Sequence, residues 1–327
     1  MQRNPFYASH TTIIEYNPYR AEIILSYKEV CVLIPTLNEE ESIESVVKDF
    51  KALGFENILV IDGHSVDQTA AKAERSGARV ILQSGTGKGQ AMVEAFDLIE
   101  EDYILLIDGD GTYLPSEAPK LLNPVLKGRA DHVVGNRFGY LKGGALNRLN
   151  LVGNKLINRF FVLIYRVGLT DILSGYRAFT REGIRLLDLT TPGFEIESEM
   201  TIESVKKGLR IIEVPITYLP RAKGAKTKLN PFKDGFKIVI TIFRMAKTQN
   251  PMFFFGLIGS IFGTAGFLTG LYVVSEWLDG RIEHIPLTIL TAILIIVGFQ
   301  LFLIGILGDV MASLHRDMMR ELYRKKK

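Results

Sequence analysis

Short apolar runs alternate with amphipathic segments over the first 250 residues. The runs that predict buried strands cover residues 30–34, 57–61, 79–82, 103–107, 132–137 and 210–219. Segments with the spacing of helices separate them, and this alternation at short intervals predicts an α/β fold with a doubly wound, mostly parallel sheet. The run at 103–107 is almost continuously apolar, which is typical of a strand that is covered on both faces.

Two later stretches have a different pattern. Residues 252–275 and 285–308 carry no charge, and each is long enough to cross a bilayer as a helix. The short loop between them contains Glu276, Asp279 and Glu283 against Arg281 alone, whereas six basic residues follow the second stretch. The positive-inside rule therefore predicts a multi-pass membrane protein whose C-terminal tail and N-terminal domain are cytoplasmic.

Two further helical patterns are compatible with a membrane surface. Residues 232–247 combine apolar and basic positions at helical spacing, which predicts an interfacial amphipathic helix. Residues 145–167 are helical in pattern too, and they fit either a core helix or one at a membrane surface. The predicted divisions are an extension (1–28), an α/β domain (29–222), a basic loop with its interfacial helix (223–250), a transmembrane module (251–308) and a basic tail (309–327).

Composition narrows the class of protein only slightly. The formal net charge is only +3, so the chain as a whole lacks the large excess of basic residues that is typical of nucleic-acid-binding proteins. Its one cysteine, Cys31, lies within an apolar run. This excludes an internal disulfide framework and fits a reducing compartment, with Cys31 as a buried thiol.

The strongest chemical signal follows the apolar run at 103–107, where the chain reads Asp108-Gly109-Asp110. Side chains at i and i+2 of an extended chain point to the same side, so both carboxylates are expected at the carboxyl edge of the sheet, where open α/β sheets bind ligands. Two carboxylates suit Mg²⁺ or Mn²⁺, with a substrate diphosphate completing the ligand shell. The alternative is an acidic turn without a metal.

Other polar residues follow predicted strands. Asp62 and Arg137 each come at the end of an apolar run, and Arg137 fits either a site residue or a surface charge. Lys88 lies in a glycine-rich turn whose backbone N–H groups could meet phosphate, although a plain helix start fits equally well. A purely structural role is open to Thr36 and Glu39, which have the spacing of a capping box.

Two more sets of polar residues have structural interpretations. Ser65 and Gln68 repeat the capping-box spacing before the next predicted helix. Glu195, Glu197 and Glu199 lie close together, and we expect at least two of them at a solvated helix N-terminus, where acidic side chains are favoured.

Taken together, these motifs resemble a known family. The ordered motifs of GT-A glycosyltransferases of family 2 correspond to Pro35-Thr-Leu-Asn-Glu39, Asp62…Ser65-X-Asp67, Gly87-Lys-Gly89 and Asp108-Gly-Asp110. Within the family the chain is similar to the polyprenyl-phosphate sugar synthases, and most of all to archaeal dolichyl-phosphate hexose synthases of S-layer N-glycosylation. The runs that carry this closer likeness are Gln83-Ser-Gly-Thr-Gly-Lys-Gly-Gln90, Gly135-Asn-Arg-Phe138 and Ile172-Leu-Ser-Gly-Tyr-Arg-Ala-Phe-Thr180.

The resemblance implies a GT-A catalytic domain followed by interfacial amphipathic helices and two transmembrane helices. It also implies roles for individual residues. The donor side would consist of Pro35, Thr36, Glu39 and Asp62 around the nucleoside, Lys88 near the donor, and Asp108 and Asp110 on the metal and diphosphate. The acceptor side would consist of Arg137, Arg148, Arg221 and Lys228 on a lipid phosphate, in a pocket shaped by Ser174 and Arg177. Asp110, Arg137 and Lys88 would be the catalytic residues.

Two departures from the family pattern bear on the donor. The usual Asp-Asp-Gly-Ser is Asp62-Gly-His-Ser65 here, and Thr112 stands where mannose synthases often have Gln. Both departures weaken the expectation of GDP-mannose as the donor. The resemblance to the closer relatives, which use uridine-linked sugars, implies UDP-GlcNAc or UDP-glucose instead. The implied reaction is inverting transfer of a hexose to dolichyl phosphate at a lipid bilayer, with association of copies through the transmembrane helices left open. The alternatives are a GDP-mannose-dependent synthase, a lipid-independent transferase, and a membrane sugar-nucleotide sensor without turnover.

Overall fold

The computed structural model describes residues 27–146, 148–221, 231–280 and 285–326. Within these ranges the strands are β1 (Val30–Thr36), β2 (Asn57–Asp62), β3 (Arg79–Leu82), β4 (Tyr103–Leu106), β5 (His132–Leu141), β6 (Arg177–Thr180) and β7 (Ile211–Tyr218). The helices are α1 (Ile43–Ala52), α2 (Thr69–Arg75), α3 (Lys88–Leu98), α4 (Ala118–Leu126), α5 (Arg148–Tyr165), α6 (Arg181–Arg185), α7 (Ile196–Lys206), α8 (Pro231–Gln249), α9 (Pro251–Leu278) and α10 (Ile285–Lys326).

The strands form one mixed sheet in the order β3-β2-β1-β4-β6-β5-β7. Strands β1 to β4 are mutually parallel, and β5 is parallel to β7. Strand β6 is antiparallel to both of its neighbours, β4 and β5. The prediction of a mostly parallel α/β sheet is confirmed, but β6 itself was expected as the end of a polar turn because it is short and begins with Arg177.

Both faces of the sheet are buried. On β1, Val32 and Ile34 belong to one apolar cluster, whereas Cys31 and Leu33 belong to a second cluster. Successive residues of a strand point to opposite faces, so this division shows that helices cover the sheet on both sides. Burial raises the pKa of the Cys31 thiol to about 12, as expected for an inert core cysteine.

The chain forms two compact units, Met1–Thr241 and Ile242–Lys327. The predicted finer division into five segments stays a prediction. In the second unit, α9 and α10 contain stretches long and apolar enough to cross a membrane, Pro251–Leu278 and Ile285–Leu314. Only 11% and 17% of their most apolar windows are buried, unlike the core helices of a soluble domain. The helical conformation of α10 continues through the predicted tail as far as Lys326.

Helices α9 and α10 pack closely against each other. A side chain at Gly298 would come within 2.8 Å of the carbonyl oxygen of Gly259, so only glycine allows this approach. Nearby, the Thr291 hydroxyl donates to the Thr269 hydroxyl at 3.0 Å. Small residues at such a contact are typical of helices that associate in a bilayer.

Candidate active site

The turn that carries Asp108 and Asp110 is held in one position by its neighbours. The Ser42 hydroxyl donates to the carbonyl oxygen of Gly109 at 2.7 Å. A Cβ at Gly109 would lie 2.7 Å from the Thr36 methyl group, so the turn needs glycine there. Thr112 donates to Asp110 Oδ1 from its backbone nitrogen at 3.0 Å and from its hydroxyl at 2.6 Å. The Asp110 carboxylate is therefore fixed in direction before any ligand arrives.

Each of the two carboxylates is paired with a different cation. Lys88 Nζ lies 2.6 Å from Asp108 Oδ1, and an Arg221 guanidinium nitrogen lies 2.6 Å from Asp110 Oδ2. Asp108 also lies against Gly175, where any side chain would collide with the carboxylate. The structure thus brings two cations, Lys88 and Arg221, to a carboxylate pair that is distant from both of them in the sequence.

Lys88 has a second carboxylate partner, Glu197, whose Oε1 lies 2.5 Å from the ammonium. Burial alone would lower the pKa of Lys88, but the charges of Asp108 and Glu197 outweigh it and hold that pKa above the ordinary value. Lys88 is therefore a fixed positive charge in the site.

The expectation that at least two of the three acidic residues near α7 are solvated was wrong. Glu195, Glu197 and Glu199 are 7%, 5% and 2% exposed. Glu197 is neutralised by Lys88, and Glu199 accepts five hydrogen bonds from the backbone and hydroxyl groups of Thr190 and Thr191. Buried carboxylates are stable here because each of these two meets a cation or several donors.

The glycine-rich turn before α3 is a packed helix start. The backbone nitrogens of Gly89 and Gln90 donate to the carbonyl oxygen of Pro192 at 2.8 and 3.4 Å. A side chain at Gly89 would overlap the carbonyl oxygen of Thr191. These two N–H groups thus fasten α3 to the loop before α7, and this supports the helix-start alternative over a phosphate cradle.

The capping-box interpretations were wrong. Helix α1 begins at Ile43 and α2 at Thr69, too far along the chain for the expected pairs. Instead, Ser65 donates to the Asp62 carboxylate from its backbone nitrogen at 2.8 Å and from its hydroxyl at 2.5 Å. The Thr36 hydroxyl donates to the same carboxylate at 3.3 Å.

The residues predicted to surround a nucleoside lie at the ends of β1 and β2. Pro35 is buried within β1, and the backbone nitrogen of Glu39 donates to the Thr69 hydroxyl at 2.7 Å. Since Thr36 contacts both Asp62 and Gly109, it links this group to the Asp108–Asp110 turn. The carboxyl ends of β1, β2 and β4 therefore form one continuous site, as expected for an open α/β sheet.

Arg137 is a buried residue of this region and not a surface charge. Its Nε and Nη2 donate to the two oxygens of Asp171 at 2.8 and 2.7 Å, and its backbone nitrogen donates to the same carboxylate at 2.9 Å. Burial lowers the pKa of Arg137, but the Asp171 charge more than compensates and raises it well above its usual range. The guanidinium carbon also lies 5.4 Å from the centroid of the Tyr218 ring.

Tyr218 connects Arg137 to the carboxylate pair. Burial raises the pKa of Tyr218, and the charges of Arg137, Asp110 and Asp108 all act on it. Tyr218 is thus close enough to the predicted acceptor arginine and to the predicted metal carboxylates for the charges of both to act on it.

Ser174 and Arg177 lie beneath the site. Arg177 is completely buried, and its guanidinium donates to the carbonyl oxygens of Ser174 and Ile172 and to the Thr201 hydroxyl. Burial lowers the pKa of Arg177 to about 10. These bonds fix the turn that carries Asp171, so the position of Arg177 is that of a residue that shapes a pocket from behind.

The structure brings neither of the other two predicted acceptor residues into view as a described contact of this cluster, for different reasons. Arg148 is exposed at the first turn of α5, and Lys228 lies outside the described residues. Sequence reasoning missed Glu197, Asp171 and Tyr218. Asp171 lies in a turn of mixed polarity and Glu197 lies among other acidic residues, and their burial follows from the folded sheet and not from any local pattern.

The carboxylate pair fits a divalent metal that a substrate also ligates. Within the described ranges no group of three or more His, Cys, Asp or Glu side chains could hold an ion. The protein would therefore donate oxygens of Asp108 and Asp110 and leave several positions open. Mg²⁺ is typically bound in this way, through one or two carboxylates plus phosphate oxygens.

Comparison with known proteins agrees with this geometry. The sequence profile described as "Glycosyl transferase family 2" matches residues 31–186. Glycosyltransferase AglJ of Haloferax volcanii is 47% identical over 294 residues, which cover 90% of this chain and 97% of that protein. A dolichyl-phosphate hexose transferase of the same organism is 33% identical over 216 residues, or 65% of this chain and 92% of the relative.

Solved structures share the fold. Glucosyl-3-phosphoglycerate synthase from Mycobacterium tuberculosis, in complex with Mn²⁺ and UDP-glucose, superposes with a TM-score of 0.56 at 25% identity. The match covers 66% of this chain and 78% of the synthase.

Proposed function

The chain belongs to glycosyl transferase family 2 and is a glycosyltransferase, and on that premise we propose that it moves a hexose from a UDP-sugar to dolichyl or another polyprenyl phosphate. The observation that carries this proposal is the cluster of Asp108, Asp110, Lys88, Arg221 and Arg137 at one sheet edge. The chain also contains two helices able to cross a membrane. Membership of an enzyme family sets aside the non-catalytic sensor.

On the donor side, Asp108 and Asp110 would hold a divalent metal together with the sugar-nucleotide diphosphate. The metal would neutralise the charge that develops on the departing diphosphate. Lys88, a fixed positive charge beside Asp108, would stabilise the same leaving group. The nucleoside would lie toward Pro35, Thr36, Glu39 and Asp62, at the ends of the two neighbouring strands.

On the acceptor side, Arg137 and Arg221 would hold the lipid phosphate, with Arg148 and Lys228 as further cations. A phosphate monoester has a second pKa near 6, so it is largely dianionic at neutral pH. It can attack the anomeric carbon without a strong protein base. The arginines would contribute by fixing the nucleophile in line with the leaving group. Such a direct displacement inverts the anomeric configuration, and a product with retained configuration would contradict it.

Two observations support a uridine-linked donor, glucose or GlcNAc. The M. tuberculosis structural neighbour was solved with UDP-glucose and Mn²⁺. Position 112 is often Gln in mannose synthases. In this chain it is Thr112, which donates two hydrogen bonds to Asp110 and so orients that carboxylate. A GDP-mannose donor is the alternative, and the experiment below separates the two.

We also propose that the catalytic domain and the C-terminus are cytoplasmic. The acidic loop around Asp279 and the basic tail support this orientation. The test is to introduce single cysteines, Asp279→Cys and Lys326→Cys, and to label intact cells with a membrane-impermeant maleimide. Labelling of the loop cysteine alone is expected, and labelling of the tail cysteine alone would reverse the orientation.

The decisive experiment is donor and acceptor profiling with purified full-length protein in detergent. UDP-glucose, UDP-GlcNAc and GDP-mannose would each be supplied with Mg²⁺ or Mn²⁺, and with dolichyl phosphate or a soluble glycan as acceptor. We expect a UDP-sugar to give a lipid-linked product that is lost on chelation of the metal and in the Asp110→Asn variant. Transfer to the soluble glycan but not to dolichyl phosphate would overturn the proposed acceptor.

A further inference from the structure

Glu197 is a buried carboxylate for which neither the sequence nor the family motifs provide a role. It lies in the first turn of α7, is 5% exposed, and contacts the Lys88 ammonium at 2.5 Å. The other acidic residues of the same helix have local structural partners. Glu199 binds Thr190 and Thr191, and Glu203 accepts from the backbone nitrogen of Asp188. Glu197 is directed toward the site instead.

The backbone around Lys88 is held tightly enough to make this contact specific. Gly89 donates to the carbonyl oxygen of Pro192, so the start of α3 is bonded to the loop before α7. That loop is in turn fixed by the Glu199 carboxylate. The starts of α3 and α7 are thus joined to each other, and the Lys88 ammonium is placed between Asp108 and Glu197.

The two carboxylates on Lys88 have different tasks under the proposed function. Asp108 must offer its oxygens to a divalent cation, and a cation on that carboxylate repels the neighbouring ammonium. A buried ammonium that loses its only counter-charge is strongly destabilised. Glu197 has no such conflict, because it lies on α7 outside the Asp108-Gly-Asp110 turn that would bind the cation, and its carboxylate contacts the Lys88 ammonium directly.

We propose that Glu197 is a positioning residue that keeps the Lys88 ammonium at the donor-diphosphate subsite while Asp108 binds the divalent cation. This inference rests on the proposed donor site and does not depend on the identity of the acceptor. Glu197 acts through Lys88 and does not touch the substrate. Its negative charge would by itself repel a diphosphate. Removing that charge is therefore expected to weaken nucleotide binding if Glu197 positions Lys88, and to strengthen it or leave it unchanged if Glu197 acts only by its charge.

The test is the affinity of full-length protein for UDP, and separately for GDP, by calorimetry at saturating Mn²⁺. If Glu197 positions Lys88, the Glu197→Gln variant binds the nucleotide about tenfold or more weakly, because a charge-assisted contact from Lys88 is lost. If Glu197 were only a nearby negative charge, the same variant would bind as tightly as the wild type or more tightly. That second result would overturn the proposal.

Two further variants separate positioning from a general loss of structure. Glu203→Gln is the matched control, because Glu203 is 2% exposed on the same helix and does not contact Lys88. We expect it to lower the unfolding temperature and leave nucleotide affinity unchanged. In a Lys88→Met background, Glu197→Gln should cause no further weakening, and an additional loss of affinity there would contradict action through Lys88.

The outcome is separable from that of the proposed function. A wild-type protein that binds UDP with Mn²⁺ but transfers no sugar to polyprenyl phosphate would overturn the proposed acceptor and leave the Glu197 comparison valid. A wild-type protein that binds neither nucleotide would overturn both.

Discussion

Arg137 and Asp171 form a two-bond ion pair that is almost closed to solvent, with their side chains 9% and 0% exposed. The Asp171 carboxylate also accepts from the backbone nitrogen of Arg137, so one side chain fixes both the backbone and the guanidinium. Asp171 is itself held by its backbone nitrogen, which donates to Glu213 at 2.8 Å. The direction of Arg137 is therefore built into the fold and is not a response to a ligand.

Replacing Asp171 by Asn tests this relationship. The amide cannot neutralise the buried guanidinium, and breaking a buried ion pair costs about 3–5 kcal/mol. We expect a lower free energy of unfolding, and transfer at subsaturating lipid phosphate at least about tenfold slower because Arg137 loses its orientation. The measurements are a denaturation curve in detergent and the apparent KM for polyprenyl phosphate.

Asp188→Asn is a suitable control for that variant. Asp188 pairs with Lys207 but is 68% exposed, and exposed pairs contribute about 1 kcal/mol or less. Near wild-type transfer by Asp171→Asn would show that the pair does not orient Arg137 for the reaction.

Because Arg221 contacts Asp110, we expect its replacement to raise the affinity for the metal and to slow sugar transfer. The guanidinium occupies Asp110 Oδ2 at 2.6 Å, an oxygen that a divalent metal also requires. In Arg221→Gln this competition is absent, so Mn²⁺ should bind about fivefold more tightly, equivalent to about 1 kcal/mol. Transfer should nevertheless fall, because the acceptor phosphate loses a cation.

The metal affinity can be followed by the loss of the free Mn²⁺ signal in electron paramagnetic resonance. Arg148→Gln serves as the control, since Arg148 is exposed on α5 and outside the carboxylate cluster. It should leave Mn²⁺ affinity unchanged. If Arg221→Gln bound Mn²⁺ no better than Arg148→Gln does, Arg221 would not compete with the metal.

The sequence predicted the parts of this molecule that depend on local pattern. Continuous apolar runs identified most strands, and uncharged stretches identified α9 and α10. The Asp108-Gly-Asp110 turn was found because its carboxylates directly follow a strand. Strand β6 was missed because it is four residues long and starts with a buried arginine, which local hydrophobicity cannot distinguish from a polar turn.

The errors at the site have one physical origin. Thr36 and Glu197 have the spacing or position of helix-capping and helix-terminal residues, yet each bonds to a group far away in sequence. Ser65 likewise accepts a hydrogen bond from the backbone nitrogen of Asn38 at 2.8 Å. A buried carboxylate such as Glu197 is stable only because Lys88 neutralises it, and that contact exists only once α3 and α7 are packed together. Sequence spacing alone therefore predicted helix-capping or helix-terminal roles for these side chains.

His132 predicts how stability depends on pH. Burial, followed by the charge of Arg177, lowers the pKa of His132 well below 6.5. The unfolded chain therefore binds a proton at this residue more readily than the folded chain, so stability falls as the pH decreases below 6.5. The slope for one proton is at most about 1.4 kcal/mol per pH unit.

His132→Gln removes this titration. The comparison is the unfolding free energy of wild type and variant at pH 7.5 and pH 5, where contributions from other groups cancel in the difference. The wild type should lose more stability than the variant over this range, because its folded state resists the protonation that its unfolded state accepts. Equal losses would mean that His132 becomes protonated in the folded protein.

Helix α5 has a core face and an exposed face. The buried face fits the interpretation as a core helix, and a position at a membrane surface stays a prediction for the exposed face. Ile157, Phe161 and Ile164 are buried, whereas Leu149, Val152, Leu156 and Leu163 are 50–67% exposed. Basic residues at 148, 155 and 159 lie among the exposed positions, and the helix contains no acidic residue. Exposed leucines between cations are typical of a helix that lies in the interface of an anionic bilayer.

A nitroxide label at Leu156→Cys in full-length protein, reconstituted into anionic liposomes, measures this contact directly. Cys31 is 3% exposed, so the label should react with the introduced cysteine. Val66→Cys is the control, since Val66 is 92% exposed and lies between β2 and α2. Power saturation should show more collisions with oxygen than with a water-soluble nickel complex at position 156, and the reverse at position 66. Equal accessibility to the nickel complex at both positions would show that the exposed face of α5 lies in water, and its leucines would then need another partner.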